Sequence, residues 1–261
     1  MNPIDRLYPY LQELQPLALA MSGGLDSTTL ALILKKSGIR FTGFTMIGPH
    51  LTDYEIESVI SIASLHDIEH DLFFYDYRQI SEVVRNDTLR CFHCKMKMFK
   101  YAQDYYTDKF NVIDGTNYDD LNLYRPGIKA NQINGIISPF ADLSVTKENI
   151  RECARRYNLN FSANSSRSCI LCRFEYQLPL DYLEVIKIRS VENYLLRNHF
   201  RGFRFRKITA EKYLFQLDIS EHDRFTDISD DFYKYAEVVG VTPFNLEVLS
   251  FNKISGYYDR Q

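Results

Sequence analysis

The sequence predicts an α/β fold class, a doubly wound parallel sheet followed by a smaller C-terminal α+β domain. Strand-like and helix-like segments alternate over the first two-thirds of the chain, as a parallel sheet requires. A glycine-rich turn separates the first apolar run from the first helical segment. At 261 residues, the chain is long enough for one α/β domain and a smaller companion.

The apolar run Leu17–Met21 is the first predicted strand, because a short continuous apolar run is typical of a strand buried on both faces. The other elements predicted for the sheet domain are a helix over 28–36, a strand over 40–47, a helix over 54–65, a strand over 72–75, a strand over 111–114 and a helix over 145–157. Ser144 or Thr146 is placed to cap the last of these helices.

The pattern of the sequence changes after about Cys172. Segments 203–205 and 213–219 are strand-like and predict a small α+β unit. We therefore place a domain boundary near residue 175, which gives domains over 1–175 and 176–261.

The composition excludes several classes of protein. Charged residues make up 25% of the chain and hydrophobic residues 45%, which excludes disordered, coiled-coil and collagen-like chains. A net charge of -3 argues against nucleic-acid binding by bulk electrostatics. No apolar run approaches the length that spans a bilayer, so we expect a cytoplasmic protein with no membrane partner.

The five cysteines comprise two CxxC pairs, Cys91 with Cys94 and Cys169 with Cys172, and the single Cys153. In a reducing compartment this pattern favours metal, cluster or sulfur chemistry over disulfides. Two CxxC pairs are also an ordinary ligand set for structural zinc. Cys153 lies on a predicted amphipathic helix, and we expect it to be a buried structural thiol.

The strongest motif is SGGLDS at Ser22–Ser27, between the first strand and the first helix. Its glycines let the backbone turn sharply and direct N–H groups at an anion, and the helix N-terminus adds the positive end of its dipole. Ser22 and Ser27 add hydroxyl donors, and Asp26 is placed to hold Mg²⁺ bound to the same phosphates. An ordinary strand–helix turn is the alternative. Because the GxxxxGK[ST] pattern of kinases and GTPases is absent, the predicted phosphate-binding loop is not of the Walker type.

A second polar segment, GTNYDD at Gly115–Asp120, follows the strand predicted at 111–114. Short polar groups after a parallel strand lie at the carboxyl edge of the sheet, where α/β proteins bind ligands. An Asx-rich turn that caps a helix is the alternative interpretation. Arg125, which precedes a Pro-Gly turn, and Lys95 are candidate contacts to a phosphate or to AMP.

The SGGxDS loop resembles that of the PP-loop ATPases, which have the adenine nucleotide alpha hydrolase-like fold. Enzymes of this superfamily adenylate a carboxylate or carbonyl oxygen and release pyrophosphate, after which a nucleophile displaces AMP. Further motifs, over about Met21–Tyr176, are similar in content and order to those of the LarE family. These motifs are TMIGP at 45–49, RCFHCK at 90–95, GTNYDD at 115–120, YRPG at 124–127, SP at 138–139, TKENIR at 146–151 and SCILCRF at 168–174.

The LarE resemblance implies an ATP-dependent sulfur transferase of nickel-pincer nucleotide biosynthesis, which first adenylates the carboxylate of a nicotinate-derived mononucleotide. It implies that ATP is bound by Ser22, Gly23, Gly24, Asp26, Ser27, Met46, Gly115, Thr116, Asn117, Asp120 and Arg125. Lys95, Arg125 and Arg173 would neutralise the charge that develops on the phosphates.

The same resemblance implies two hypotheses for the sulfur source. Cys169 stands where the family carries a sulfur-donor cysteine, which some members consume to leave dehydroalanine. Those members have a serine where this chain has Cys172. Relatives with three cysteines hold a [4Fe-4S] cluster instead, and its unique iron carries an extra sulfide. Here Cys169 and Cys172 would be two cluster ligands, and Cys91 or Cys94 would be the third.

Arg204 and Arg206 are placed two residues apart on a predicted strand, so that both face one side and suit a phosphate. LarE relatives have a similar strand, which implies a mononucleotide phosphate site. This chain has Ile208 and Thr209 where a histidine follows in those relatives, and Gly256–Arg260 departs from their GYR pattern. A solvated face above an aromatic core is the structural alternative, and a tRNA substrate would use the same arginines.

The predicted function is therefore sulfur transfer to a small mononucleotide acceptor by an enzyme expected to be a homo-oligomer. A tRNA thiolase of the same superfamily is the first alternative, although the acidic chain has no obvious RNA-binding domain. An amide-forming PP-loop ligase would leave the paired cysteines without a role. A zinc-stabilised nucleotide-binding module without turnover is the alternative outside catalysis.

Overall fold

A computed structural model of the chain describes residues 3–122, 126–159 and 167–258. Within these ranges the strands are β1 (Leu17–Ala20), β2 (Phe41–Ile47), β3 (His70–Phe74), β4 (Asn111–Ile113), β5 (Phe203–Lys207), β6 (Tyr213–Asp218) and β7 (Phe244–Leu249). The α-helices are α1 (Leu7–Leu14), α2 (Leu25–Lys36), α3 (Asp53–Leu65), α4 (Ser81–Val84), α5 (Arg90–Tyr106), α6 (Pro126–Ile133), α7 (Pro139–Asp142), α8 (Lys147–Arg156), α9 (Tyr182–Arg197), α10 (His222–Thr226), α11 (Ser229–Val239) and α12 (Phe251–Ile254). The chain divides into two compact units, of which the first comprises 1–47, 55–75 and 91–162 and the second 48–54, 76–90 and 163–261.

The first unit is built on a four-stranded sheet in the order β3-β2-β1-β4. All three strand pairs are parallel, and β1 lies between β2 and β4. From β1 the chain winds outward to β2 and β3, and it then returns to the opposite side of β1 to form β4. The doubly wound parallel sheet that the alternating pattern predicts is therefore confirmed for this unit.

Strand β1 lies at the centre of the core of the first unit. Leu17, Ala18 and Leu19 have no solvent-exposed surface, as expected for a strand covered on both faces. Buried residues of α2, α8 and the neighbouring strands complete this core, among them Leu30, Leu34, Ile113, Val145 and Ile150. The carboxyl end of the strand is held by Thr45, whose hydroxyl donates a hydrogen bond of 2.6 Å to the carbonyl of Met21.

Element boundaries differ from the predicted ones by up to three residues. Helix α2 begins at Leu25 instead of 28, because Gly24 occupies the N-cap in extended conformation and Asp26 lies in the first turn. Helix α8 begins at Lys147, with Thr146 and Asn149 forming a capping box, which confirms Thr146 as the cap. Strand β3 begins at His70, since its first residues already pair with β2.

The second unit contains a three-stranded sheet in the order β5-β6-β7. Strands β5 and β6 are antiparallel, and β7 is parallel to β6. Both strands predicted after residue 200 are present, and the apolar cluster at 183–188 belongs to α9. A separate C-terminal domain that begins at residue 176 stays a prediction.

An aromatic cluster forms the core of the second unit. The Phe215 ring, which is fully buried, has its centroid 5.1 Å from that of Phe225, 5.2 Å from that of Phe232 and 6.1 Å from that of Phe244. Edge-to-face and tilted pairs of this kind add to the stabilisation from buried area. These contacts explain why the strands of this unit are rich in phenylalanine.

Among the helices that the structure describes, none combines the length and the apolar character needed to cross a bilayer.

Replacing Phe215 with Ala should destabilise the protein by about 3–5 kcal/mol, because it removes a large buried ring and leaves a cavity among its neighbours. The change is measurable as a lower midpoint of urea unfolding. Val238→Ala on α11 is the matched control, since Val238 is 86% exposed and its truncation should change the free energy of unfolding by less than about 0.5 kcal/mol. Equal midpoints for the two variants would contradict the assignment of Phe215 to the core.

Candidate functional site

The loop Ser22–Ser27 connects β1 to α2 and has the geometry of an anion-binding turn. Gly23 has φ of 71°, in the left-handed region that favours glycine. The side-chain oxygens of Ser22 and Ser27 lie 3.1 Å apart, and the Gly24 N–H donates to Ser22 Oγ at 3.3 Å. Helix α2 makes no side-chain capping hydrogen bond, because its N-cap residue is Gly24. The first turn of α2 is thus suited to a phosphate as its acceptor.

The segment after β4 approaches this loop closely. A Cβ atom at Gly115 would lie only 2.9 Å from the Ser27 backbone nitrogen, so that a larger residue would push the two segments apart. Because β1 and β4 are parallel neighbours, both segments lie at the same carboxyl edge, where the winding of the sheet reverses. The structure therefore brings together the two motifs that the sequence singles out for nucleotide binding.

Asp114 stabilises the GTNYDD segment through hydrogen bonds to its carboxylate. Its buried carboxylate accepts hydrogen bonds from Thr116 Oγ1 at 2.6 Å, Asn131 Nδ2 at 2.6 Å and Ser138 Oγ at 2.7 Å. The Thr116 backbone N–H donates to the same carboxylate at 3.1 Å. A carboxylate that accepts this many bonds fixes the conformation of the chain around Thr116. Sequence reasoning missed Asp114, whose only signal was its place at the end of a strand.

Asn117 and Asp120, both predicted to bind nucleotide, close a tight turn. The Asn117 N–H donates to Asp120 Oδ2 at 3.3 Å, and the Asp120 N–H donates to Asn117 Oδ1 at 3.2 Å. Asp120 is buried, and its described bonds support the Asx-turn interpretation of this residue. Asn117 also contacts the SGGLDS loop, since its Nδ2 donates to Asp26 Oδ2 at 3.2 Å.

Asp26 forms an ion pair that the sequence did not predict. Lys147 Nζ lies 2.5 Å from Oδ1 and 2.7 Å from Oδ2 of this carboxylate. Lys147 is the first residue of α8, and its backbone N–H also donates to Asp119 Oδ2 at 2.7 Å. The TKENIR motif marked Lys147 in the sequence, but the motif does not indicate Asp26, 121 positions away, as the partner of this lysine.

Lys95, on α5, is seated beside Gly127 and Asn131. A Cβ at Gly127 would lie 2.7 Å from Lys95 Cδ, and Lys95 Nζ lies 3.4 Å from Asn131 Oδ1. Met46 lies in β2 and is nearly buried. Arg125, the remaining predicted nucleotide ligand, lies outside the described residues.

The residues of the first unit fit a bound Mg·ATP phosphate group. The helix N-terminus without a side-chain cap and the serine hydroxyls suit phosphate oxygens. The Asp26 carboxylate is the oxygen ligand that Mg²⁺ prefers, and 21% of its side chain is exposed.

In the second unit, Cys169 immediately precedes a short 3-10 helix over Ile170–Arg173, and Cys172 lies within that helix. Their sulfurs are 3.9 Å apart, which is too far for a disulfide. Arg90 Nη2 donates to Cys172 Sγ at 3.3 Å. A guanidinium next to a sulfur stabilises negative charge on it.

Cys91 and Cys94 lie in the first two turns of α5. The Tyr75 hydroxyl donates to Cys94 Sγ at 3.1 Å. In the ranges that the structure describes, no group of three or more His, Cys, Asp or Glu side chains is placed to hold a metal ion. Cys91 and Cys94 belong to the first unit and Cys169 and Cys172 to the second, and the cluster and zinc ligand sets stay predictions.

Arg173, predicted to contact phosphates, is buried against Glu192. Its Nε donates to Glu192 Oε1 at 2.6 Å, and its Nη1 donates to Ser168 Oγ at 2.8 Å. Arg167 also donates to Glu192. Burial alone would raise the pKa of Glu192, but the positive charges of Arg173 and Arg167 lower it to about 2. These contacts order the chain around Cys169, and the predicted phosphate role of Arg173 stays a prediction.

Arg204 and Arg206 lie on β5, as predicted, and both are almost completely buried. Arg206 Nε donates to Gln216 Oε1 at 2.7 Å, and its Nη2 donates to the Ile254 carbonyl at 2.6 Å. Burial and the neighbouring Arg173 charge lower the pKa of Arg206 to about 10, and the same causes lower that of Arg204. Both causes disfavour the charged forms of these arginines.

Cys153, on α8, belongs to the buried core of the first unit, as the sequence predicts. Burial raises the pKa of its thiol, which makes it a poor nucleophile.

Comparison with known proteins gives three informative relatives, and no family model matches the chain. The chain is 32% identical over 187 residues to the uncharacterized protein MJ0830 of Methanocaldococcus jannaschii, an alignment that covers 70% of each chain. It is 27% identical over 190 residues to the pyridinium-3,5-bisthiocarboxylic acid mononucleotide synthase of Lactiplantibacillus plantarum, covering 71% of this chain and 68% of that protein. It is 31% identical over 209 residues to the tRNA-specific 2-thiouridylase MnmA of Syntrophomonas wolfei, covering 65% of this chain and 57% of that protein. These likenesses indicate the PP-loop ATPase superfamily, which confirms that part of the resemblance.

Lowering the pH should remove the stability that Glu192 contributes. The folded-state pKa is depressed from 4.5 to about 2, so the contribution is fully present above the ordinary pKa and is lost as the pH falls toward the folded one. We expect the urea midpoint of the wild type to fall over this range, and Glu192→Gln to start lower at neutral pH and to lack this component. Glu211→Gln is the control, because Glu211 is exposed between β5 and β6. Parallel curves for the wild type and Glu192→Gln would contradict this role of Glu192.

Proposed function

This chain belongs to the protein family of the uncharacterized protein MJ0830, within the PP-loop ATPase superfamily, and from that premise we propose that it is an ATP-dependent sulfurtransferase. It adenylates a carboxylate with release of pyrophosphate and then replaces AMP with sulfur. The observation that carries the proposal is the close approach of Gly115 to the SGGLDS loop, with Asp26 beside both.

The first step is assigned to residues of the first unit. The acceptor's carboxylate oxygen attacks the α-phosphorus of ATP, and the bond from that phosphorus to the bridging oxygen breaks, so that pyrophosphate leaves. The loop amides and the Ser22 and Ser27 hydroxyls hold the departing phosphates. Asp26 provides the carboxylate for the Mg²⁺ that accompanies ATP, and the ammonium group of Lys95 neutralises developing charge.

The second step is assigned to Cys169. Its thiolate attacks the adenylated carboxylate, and AMP leaves to give a thioester. A base from the solvent then takes the Cα proton of Cys169 while its Cβ–Sγ bond breaks, and the electron pair of that bond leaves with the sulfur, so that a thiocarboxylate is released and dehydroalanine remains. Ser168 and Arg173 fix the backbone on either side of this sulfur. Sulfur from a [4Fe-4S] cluster held by Cys169, Cys172 and Cys91 or Cys94 stays the alternative source.

The acceptor is assigned as a small mononucleotide. A relative's name specifies a pyridinium-3,5-bisthiocarboxylic acid mononucleotide as its product, and the corresponding dicarboxylate mononucleotide has the carboxylates that adenylation requires. Arg204 and Arg206 supply the charge for its phosphate, because two buried guanidinium groups on one strand face suit a compact dianion. The tRNA thiolase is the second candidate, and it is favoured by the likeness to a tRNA-specific 2-thiouridylase. Cytoplasmic location and homo-oligomer assembly stay predictions.

Asp26→Asn should lower pyrophosphate release by about 100-fold or more, because the amide cannot provide the negative oxygen that Mg²⁺ requires. The measurement is pyrophosphate formed from Mg·ATP and pyridinium-3,5-biscarboxylic acid mononucleotide. Asp67→Asn, which removes an exposed carboxylate paired with Lys35, is the control and should match the wild type. Turnover of Asp26→Asn at the wild-type rate would refute adenylation at this loop.

Cys169→Ala should abolish thiocarboxylate formation while it leaves pyrophosphate release intact, because only the sulfur step loses its nucleophile. Cys153→Ala, which removes a thiol of the core, is the control and should retain both steps. Mass spectrometry of the wild type after turnover should show Cys169 converted to dehydroalanine. An active Cys169→Ala variant would exclude Cys169 as the sulfur source.

The metal content of protein purified without oxygen distinguishes the remaining hypotheses. The consumed-cysteine mechanism expects neither iron nor zinc, and it expects Cys172→Ser to keep single-turnover activity. About four irons and four sulfides per chain would establish a cluster instead. Zinc near one equivalent, together with ATP binding without AMP release, would favour a binding module.

A further inference from the structure

The two edges of the parallel sheet are protected to different degrees. At one edge the chain covers β4, because Ile137 forms a bridge with Ile113 and its N–H donates to the Val112 carbonyl at 3.1 Å. At the other edge β3 pairs with β2, and within the part of the chain that the structure describes no strand lies on the outer side of β3. An open edge of this kind can pair with a strand of another chain.

The backbone of β3 directs alternate residues outward. The Glu69 carbonyl accepts a hydrogen bond from the Gly43 N–H at 2.7 Å, and the Tyr75 N–H donates to the Ile47 carbonyl at 2.7 Å. Since hydrogen bonding alternates along a strand, the odd-numbered residues over 69–75 bond to β2. The N–H and C=O groups that point away from the sheet belong to the even-numbered residues, His70, Leu72 and Phe74.

The open edge also carries apolar surface. Leu72 is 41% exposed and Phe74 is 72% exposed. Their side chains lie on the face of the sheet that carries Leu19, and Val59 of α3 packs in one core cluster with Leu19. On the same helix Leu65 is 79% exposed. Strand β3 contains neither a proline nor a lysine, the residues that commonly protect an edge strand from pairing.

The outward groups of β3 are complementary to those of a second copy. In an antiparallel pair centred on Leu72, position 72 faces position 72 of the other copy and position 70 faces position 74. All three residue pairs are then of the hydrogen-bonded type, with two bonds each and about six in total. On the opposite face Asp71 stands across from Phe73, so that no like charges meet. A twofold contact requires self-complementarity of this kind.

We propose that β3 is an interface between two copies of the chain, in which the two β3 strands pair antiparallel about a twofold axis at Leu72 and join their sheets into one. Strands of five residues form a small contact compared with the roughly 800 Å² per partner of a standard interface. The dimer should therefore have a dissociation constant of about 1–100 μM. The interface is independent of the chemistry proposed at the SGGLDS loop.

The test is sedimentation equilibrium of the full chain at about 1–200 μM, where the wild type should show a concentration-dependent equilibrium of monomer and dimer. Leu72→Lys and Leu72→Glu should each weaken dimerisation by about 10-fold or more, because the twofold axis sets the introduced charge against an identical one. A one-to-one mixture of the two variants should dimerise again, since opposite charges then face each other. That rescue is expected only if position 72 faces itself across the interface.

Leu183→Lys is the matched control, since Leu183 is 67% exposed and lies on α9 in the second unit. It should dimerise like the wild type, and thermal unfolding of each variant verifies that it is folded. A wild type that stays monomeric over this range would overturn the proposal, as would Leu72 variants that both dimerise like the wild type. A mixture that stays monomeric would refute the twofold pairing at Leu72.

Amide hydrogen exchange of the wild type tests the same contact without any substitution. Measured by NMR at low and at high protein concentration, exchange should slow at Leu72 and Phe74, whose N–H groups point outward. It should change little at Asp71 and Phe73, because their N–H groups already bond to β2. Exchange at Leu72 that is the same at both concentrations would contradict the interface.

Discussion

The candidate nucleotide site depends on the parallel pairing of β1 with β4. Because the winding of the sheet reverses between these strands, the SGGLDS loop and the segment from Gly115 to Asp120 leave the same edge side by side. Their contact is so close that the chain must be glycine at 115. Asp114 then fixes the conformation of Thr116, which follows that glycine, by accepting its hydrogen bond. Asn117 donates a hydrogen bond to Asp26 in the SGGLDS loop. A change in strand order would separate every one of these groups.

The two units use ion pairs in different ways because burial differs. Glu192 has no exposed surface, so that loss of its contacts with Arg167 and Arg173 would leave an uncompensated buried charge. It therefore orders the chain around Cys169. The pair of Asp26 with Lys147 is partly exposed, so that a ligand can compete for either partner at low cost. A buried, permanent ion pair in one unit and a partly exposed one in the other follow from the same attraction in different surroundings.

Local patterns in the sequence were sufficient to predict the strands of the parallel sheet, the glycine turn between β1 and α2, the Thr146 cap and the buried Cys153, because each depends on neighbouring residues. The β5 strand with its two arginines was also predictable from alternation. Contacts between distant positions were not. Nothing in the motif at 146–151 indicates Asp26 as a partner, and nothing before Glu192 in the chain indicates that it receives Arg173. Such pairs are created by the tertiary fold, and a single sequence does not encode them in any local period.

The division of the chain into units is discontinuous, since it passes from one unit to the other after residues 47, 54, 75, 90 and 162. A single cut does not separate them. A fragment that ends near residue 175 would carry three stretches of the second unit, 48–54, 76–90 and 163–175, away from the rest of it. Each unit is assembled from three separate segments of the chain, so that neither corresponds to one uninterrupted fragment that could be produced by itself.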